Sequence, residues 1–199
     1  MTSDAKTVPA ANRNHPETRS ADRAGPELVY LDFDGVLHPD AVWVDRERKN
    51  LSLRAPGHQL FESTAAFEEA IAPYPSVQIV LATSWVSTFG LAHAIQCLPE
   101  TLQSRVIGAT YDPTHPNAWL FDRLTRYDAI VQDVARRRPQ CWLAVDDDGL
   151  AWPHNKRDSL LLVPSAMGLQ CDATRVSLQA RLRAMFSASE KSSMAHPFA

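Results

Sequence analysis

Three clusters of polar residues follow apolar segments of this sequence, and their residue types are those that bind metals or phosphate. The clusters are Asp32-Phe33-Asp34-Gly35, Thr83-Ser84 and Asp146-Asp147-Asp148. Neighbouring carboxylates repel one another unless a cation or a shared proton lies between them. Carboxylate oxygens are ligands of Mg²⁺, and hydroxyls beside a helix N-terminus bind phosphate oxygens. The clusters therefore point to metal-assisted chemistry on a phosphorylated compound.

Each cluster alone also has an ordinary structural interpretation. The acids of the first cluster are typical of a cap and a turn, and Thr83 or Ser84 is typical of a helix N-cap. Residues 146–148 are compatible with a solvated acidic turn. The combination is more specific than its parts, because each cluster follows a different predicted strand.

The predicted strands and helices alternate along the chain. Apolar runs predict five strands, at Leu28–Leu31, Val77–Ala82, Val106–Gly108, Trp142–Val145 and Leu160–Val163. Helical patterns cover about residues 60–72, 88–98, 123–137 and 173–186, and the last one has Val176, Leu178, Leu182 and Met185 as its apolar positions. Near-continuous apolarity favours strands that are buried on both faces of a parallel sheet. We predict an α/β three-layer sandwich with a central five-stranded, Rossmann-like sheet, and polar clusters at its carboxyl edge.

Composition limits the class of protein. The 199 residues suit one domain, with disordered tails at residues 1–26 and 187–199 and a folded part at 27–186. Three cysteines without a CxxC pair exclude a disulfide framework and a cysteine-built zinc site. A net charge of −3 argues against nucleic-acid binding by bulk positive charge. No membrane-length apolar run or hydrophobic leader is present, which predicts a cytoplasmic protein with no membrane partner.

The polar clusters resemble motifs of the haloacid dehalogenase (HAD) superfamily. Leu31–Val36 is similar to its first motif, Leu81–Trp85 to its second, and Val145–Asp147 to its acidic fourth motif. The resemblance covers about residues 28–186. The second and fourth motifs are also similar to those of a bacterial HAD group related to HAD domains of RNA-repair proteins.

This resemblance implies a phosphatase mechanism. Asp32 would attack phosphorus and form an aspartyl-phosphate, and Asp34 would serve as general acid and base. Mg²⁺ would be held by Asp32, the backbone carbonyl of Asp34, Asp146 and Asp147. We therefore expect a Mg²⁺-dependent phosphoric monoester hydrolase of unknown substrate.

The resemblance also implies groups that bind the phosphate. Thr83, with Ser84 beside it, would hold phosphoryl oxygens. The third motif of the superfamily is a Lys or Arg near the helix before the fourth motif, and Arg126 is the preferred candidate. Arg123 and Lys156 stay open as alternatives.

The insert after the first motif predicts only a small cap. Ala41–Val44 and Leu51–Leu53 flank a polar turn, which predicts a β-hairpin flap over about residues 38–58. The resulting open site would take a phosphorylated small molecule in preference to nucleic acid, and an oligomer could close it. A nucleic-acid end-processing phosphatase or phosphotransferase and a non-catalytic binding module are the alternatives.

Several further side chains have two interpretations. His38, four residues after Asp34, is a candidate pocket residue. Trp85, Trp119 and Trp152 could stack on a nucleobase, or could serve in packing. Arg46, Arg48, Lys49 and Arg54 of the hairpin could meet an anionic substrate, or could be solvated.

Overall fold

The computed structural model describes residues 25–45, 50–116 and 118–194. Its strands are β1 (Glu27–Leu31), β2 (Val42–Asp45), β3 (Asn50–Leu53), β4 (Val77–Leu81), β5 (Val106–Ala109), β6 (Cys141–Asp146) and β7 (Leu160–Leu162). Five of them form one parallel sheet in the order β5-β4-β1-β6-β7. This confirms the predicted α/β fold with a five-stranded parallel sheet.

Helices cover both faces of the sheet. They are α1 (Thr64–Ile71), α2 (Ser84–Phe89), α3 (Leu91–Gln96), α4 (Glu100–Gln103), α5 (Arg126–Arg137) and α6 (Asp172–Met194), with short 3₁₀ helices at Ala118–Arg123, His154–Ser159 and Gly168–Gln170. Alternate residues of β1 join different cores, because successive side chains of a strand point to opposite faces. Val29 and Leu31 pack with α1, α2 and α6, whereas Leu28 and Tyr30 pack with Ile130 of α5.

The register of the central strands brings three of their carboxyl ends to one place. Leu31 of β1 pairs with Leu81 of β4 on one side and with Val145 of β6 on the other. The residues that follow these positions are therefore neighbours at the same sheet edge. That edge is where we expect the polar clusters.

The segment predicted to form a flap contains a short hairpin. Strands β2 and β3 are antiparallel, with Val42 opposite Leu53 and Asp45 opposite Asn50. Basic residues Arg46, Arg48 and Lys49 of the predicted turn lie outside the described residues.

Two helix boundaries differ from the predicted ones. The single helix predicted at 88–98 is two helices, because the backbone of Gly90 has φ 91°, a left-handed conformation that ends α2. The predicted C-terminal tail at 187–199 begins too early, since α6 continues to Met194. Residues 187–194 contain no Gly or Pro, and extending an existing helix costs far less than starting one.

At the other end, the described chain begins within the predicted N-terminal tail. Gly25 lies against the backbone of Arg138, where a Cβ atom would overlap the carbonyl oxygen. The Pro26 carbonyl accepts a hydrogen bond of 2.9 Å from the Gln140 amide. In the part of the chain that the structure describes, no helix has the length and apolar composition needed to cross a membrane.

Helix α6 gives a test of the packing. Leu182 is fully buried, whereas Val176, another apolar position of the predicted helix, is 65% exposed. We expect Leu182→Ala to lower the free energy of unfolding by ~2–5 kcal/mol, because it leaves a cavity. Val176→Ala should change it by less than about 0.5 kcal/mol. Urea denaturation of both variants checks this, and equal losses would contradict the placement of α6.

Candidate active site

Asp32 is the first residue after β1, and its carboxylate is held from two sides. Its own amide donates to the carbonyl of Val145 over 3.2 Å, which ties it to β6. Oδ1 accepts a hydrogen bond of 2.7 Å from the Phe33 amide. Oδ2 accepts one of 2.7 Å from Nη2 of Arg126. The carboxylate is thereby fixed at the sheet edge with only 2% of the residue exposed.

Arg126 reaches Asp32 because α5 begins at this residue. The preceding Thr125 caps the helix: its hydroxyl accepts from the Asp128 amide, and the Asp128 carboxylate accepts from the Thr125 amide. This reciprocal cap fixes the first turn of α5. The guanidinium also places Nε 3.1 Å from Oδ2 of Asp146, so one cation bridges two acids that come from neighbouring strands.

Asp147 completes the acidic group, and Gly35 makes room for it. The loop after β1 turns at Gly35 with φ 70°. A Cβ atom built on Gly35 would overlap the carboxylate of Asp147. Any larger residue at position 35 would therefore displace this carboxylate, so the glycine is required both for its backbone conformation and for space.

Burial and the closeness of these acids to one another shift their pKa values. Burial raises the pKa of Asp32 well above its usual range, and nearby Asp146 adds to the effect while Arg126 opposes it. Burial likewise raises the pKa of Asp146 to about 6, again against the opposing effect of Arg126. Burial and the charge of Asp40 raise the pKa of Asp147 to about 6. The group therefore needs more positive charge than Arg126 supplies.

The three carboxylates fit a divalent cation. One oxygen from each of Asp32, Asp146 and Asp147 lies within 4.8 Å of the others. Oδ2 of Asp146 is buried and accepts no hydrogen bond from the described residues, although the charge of Arg126 is close. A buried carboxylate oxygen without a hydrogen bond is a costly arrangement that a bound metal ion relieves. Hard oxygen donors of this kind suit Mg²⁺.

Thr83 occupies the position of a helix N-cap. It lies two residues after β4, is 2% exposed, and its Oγ1 accepts a hydrogen bond of 3.3 Å from the Trp85 amide. Ser84 is the first residue of α2 and is exposed. The ordinary capping interpretation of Thr83 thus applies, and phosphate binding by Thr83 and Ser84 stays a prediction.

Asp34 has two hydrogen-bond partners that the sequence analysis did not assign to it. Oδ1 lies 3.0 Å from Nε2 of His38. The indole Nε1 of Trp85 donates to both carboxylate oxygens, over 3.2 Å to Oδ1 and 3.0 Å to Oδ2. The spacing of His38 from Asp34 was a signal for the first contact. No feature of the sequence identified the indole of Trp85 as a donor to this acid.

The alternatives for the third motif lie elsewhere. The guanidinium of Arg123 sits 5.8 Å from the ring centroid of Trp119. Lys156 is exposed on the 3₁₀ helix His154–Ser159. Of the three candidates, Arg126 is the one that contacts Asp32.

The tryptophans differ in how much of each side chain is exposed to solvent. Trp85 and Trp152 are 2% and 3% exposed, which leaves no ring face for a nucleobase. Trp119 is 66% exposed. On the hairpin, Trp43 is also exposed, and the guanidinium of Arg54 lies 4.2 Å from its ring centroid.

This arrangement can be compared with known families. A family model described as the HAD domain in Swiss Army Knife RNA repair proteins matches residues 28–173. The chain belongs to this HAD family. The match contains β4, β6 and all of β1 but its first residue, together with every acid of the site, which confirms the predicted membership of the HAD superfamily. No curated protein and no solved structure was found to match the chain.

The HAD membership and the acidic group predict a pH-dependent affinity for Mg²⁺. Asp146 and Asp147, with pKa values of about 6, bind protons that a metal must displace. Because their pKa values are raised above those of the unfolded chain, ionisation of these acids destabilises the metal-free fold as the pH rises through about 4 to 6. Bound Mg²⁺ should offset this loss of stability at pH values above that range.

We therefore expect the Mg²⁺ affinity, measured by isothermal titration calorimetry, to fall by about tenfold or more between about pH 7.5 and about pH 5. The Asp158→Asn variant, which changes an exposed acid outside the site, should show the same profile as the wild type. A constant affinity over this range, or no Mg²⁺ binding at neutral pH, would contradict the assignment.

Proposed function

We propose that this HAD protein is a Mg²⁺-dependent phosphoric monoester hydrolase that works through an aspartyl-phosphate on Asp32. The observation that carries the proposal is the contact of Arg126 with both Asp32 and Asp146, beside the half-buried carboxylate of Asp147. A buried acid that is oriented by a cation and faces further metal-binding acids suits attack on a phosphate dianion. Membership of a HAD family supports a hydrolase of the phosphatase type.

In the first half-reaction, a carboxylate oxygen of Asp32 attacks phosphorus while the bond from phosphorus to the ester oxygen breaks. Asp34 gives its proton to that oxygen, so the alcohol leaves neutral. The guanidinium of Arg126 balances the charge of the phosphoryl group and of Asp32. Thr83 and Ser84, at the start of α2, are proposed to bind phosphoryl oxygens.

In the second half-reaction, water attacks the phosphorus of the aspartyl-phosphate and Asp34 takes the proton of the water. Inorganic phosphate leaves and the Asp32 carboxylate is restored. Mg²⁺, held by Asp32, the Asp34 carbonyl, Asp146 and Asp147, would reduce the repulsion between carboxylate and phosphate and stabilise the charge of the transferring group.

We propose a phosphorylated small molecule as the substrate. The short β2–β3 hairpin, in place of a full cap domain, supports an open site, and the net charge of −3 gives no general attraction for nucleic acid. The cysteine spacing of the sequence supports a reducing compartment, and we propose the cytoplasm.

A nucleic-acid end with a terminal phosphate is the second candidate. Its support is the family to which the chain belongs, which is described as the HAD domain in RNA repair proteins. The exposed Trp119, with Arg123 beside it on the segment that leads to α5, also offers a surface on which a base could stack.

Replacing the nucleophile tests the reaction. We expect Asp32→Asn to lower the rate of phosphate release by at least about 10³-fold, because the amide is a far weaker nucleophile. Phosphate release would be measured on p-nitrophenyl phosphate, a panel of metabolite phosphates and oligonucleotides phosphorylated at either end, with Mg²⁺ and with EDTA.

Asp158→Asn is the matched control, since it makes the same chemical change at an exposed position. A clearly smaller loss of Mg²⁺-dependent activity in pure Asp32→Asn protein would overturn the role of Asp32. A kcat/KM for oligonucleotides that exceeds those of the metabolites by orders of magnitude would select the second candidate. Mg²⁺ binding without turnover of any substrate would favour a binding module.

A further inference from the structure

We infer that His38 and Trp85 are positioning residues that hold the Asp34 carboxyl group for proton transfer. This inference rests on the proposed function, in which Asp34 is the general acid. It concerns the hydrogen bonds that orient this acid and not the metal or the nucleophile. We call His38, Trp85 and the backbone amide of Phe61 the Asp34 clamp.

The direction of the hydrogen bond between His38 and Asp34 follows from a third group. The amide of Phe61 lies 3.3 Å from Nδ1 of His38. A backbone N–H can only donate, so Nδ1 must be the acceptor and carries no proton. In the neutral imidazole the proton then sits on Nε2, which lies 3.0 Å from Oδ1 of Asp34 and donates to it.

An unusual backbone conformation brings the Phe61 amide to the histidine. Phe61 has φ 59°, a left-handed backbone conformation that is unfavourable for residues with a Cβ atom. Among the described residues one other non-glycine residue has a positive φ, Arg138, which caps the C-terminal end of α5. Backbone strain of this kind persists where the surrounding structure enforces it.

The rings of His38 and Trp85 pack with those of Phe33 and Phe61, and this packing prevents the two N–H donors from turning away from Asp34. The ring of His38 lies 5.0 Å from that of Phe61 and 5.8 Å from that of Trp85, between ring centroids. Phe33 contacts both Phe61 and Trp85, at 5.2 and 5.7 Å. His38 and Trp85 are almost fully buried, so reorienting either ring would require opening this part of the core.

The clamp also distinguishes the two oxygens of Asp34. Oδ1 accepts from both His38 and Trp85, which uses its two lone pairs. Oδ2 shares the single indole N–H of Trp85 and keeps one lone pair. The side chain of Asp34 is 22% exposed, so this carboxyl remains open to a reactant. Oδ2 is accordingly the oxygen that carries the proton for the leaving group.

Leaving-group dependence separates positioning from a merely structural role. Phenyl phosphate needs a proton on its departing oxygen, whereas 2,4-dinitrophenyl phosphate does not. We expect Trp85→Phe and His38→Leu to lower kcat/KM for phenyl phosphate by ~10-fold or more, toward the ~10²–10⁴-fold typical of general acid catalysis. Their kcat/KM for 2,4-dinitrophenyl phosphate should change by less than about threefold, because kcat/KM reports the first half-reaction, in which this ester needs no proton from Asp34.

Two variants serve as controls. Trp152→Phe makes the same substitution as Trp85→Phe in the core on the opposite face of the sheet, where the indole N–H has no hydrogen-bond partner among the described residues. It should leave both rates unchanged. His38→Gln keeps an N–H donor near the position of Nε2 and should recover most of the rate that His38→Leu loses. Equal losses with both esters, or no loss with either, would overturn the clamp.

A measurement that needs no substrate turnover tests the clamp even if the proposed reaction is wrong. Two-dimensional ¹⁵N NMR of the imidazole rings, with the His38 signals identified by their absence from His38→Gln, should show a neutral ring protonated at Nε2. A ring protonated at Nδ1, or at both nitrogens at neutral pH, would overturn the clamp. A wild-type protein that hydrolyses neither ester would instead count against the proposed function.

Discussion

Three carboxylates crowded at one edge of a buried sheet are the constraint on which the rest of this site depends. Asp32 follows β1, Asp146 ends the paired strand β6, and Asp147 extends the group over Gly35. Burial and mutual repulsion both favour their protonated forms, so ionised carboxylates at this edge need positive charge. Arg126 supplies one such charge and bridges two of the acids. The negative charge that Arg126 leaves uncompensated is of the kind that a divalent cation would offset.

The surrounding fold serves to keep these charges in place. The central sheet fixes the spacing of Asp32 and Asp146, and the capping box of Thr125 and Asp128 fixes the first turn of α5 from which Arg126 extends. Asp34 belongs to a different environment, between an aromatic core and solvent, where its carboxylate contacts the N–H groups of His38 and Trp85. Two acids two residues apart thus have distinct surroundings, which fits a division of labour between nucleophile and proton donor.

The sequence predicted the sheet, and the position of the acids at its edge, because both depend on local patterns. Continuous apolar runs identify buried parallel strands, and parallel strands bring their carboxyl ends to one edge. The Asp34 clamp could not be predicted in the same way, since its contacts join the β1 loop, the start of α2 and the unusual backbone at Phe61. The break between α2 and α3 has a local signal, a glycine inside the predicted helix, which the helical pattern alone did not weigh. The exposure of Val176 was missed because it depends on tertiary packing, which a single helical pattern does not contain.

The most direct test of the account is ¹⁹F NMR of the protein with beryllium fluoride, which forms an analogue of the aspartyl-phosphate on a reactive carboxylate. The account predicts a bound fluoride signal that requires Mg²⁺, disappears with EDTA and is absent from Asp32→Asn. Asp158→Asn should retain it. A bound signal that survives in Asp32→Asn, or no bound signal from wild-type protein that binds Mg²⁺, would contradict the claim that this acidic edge is a phosphoryl-transfer site.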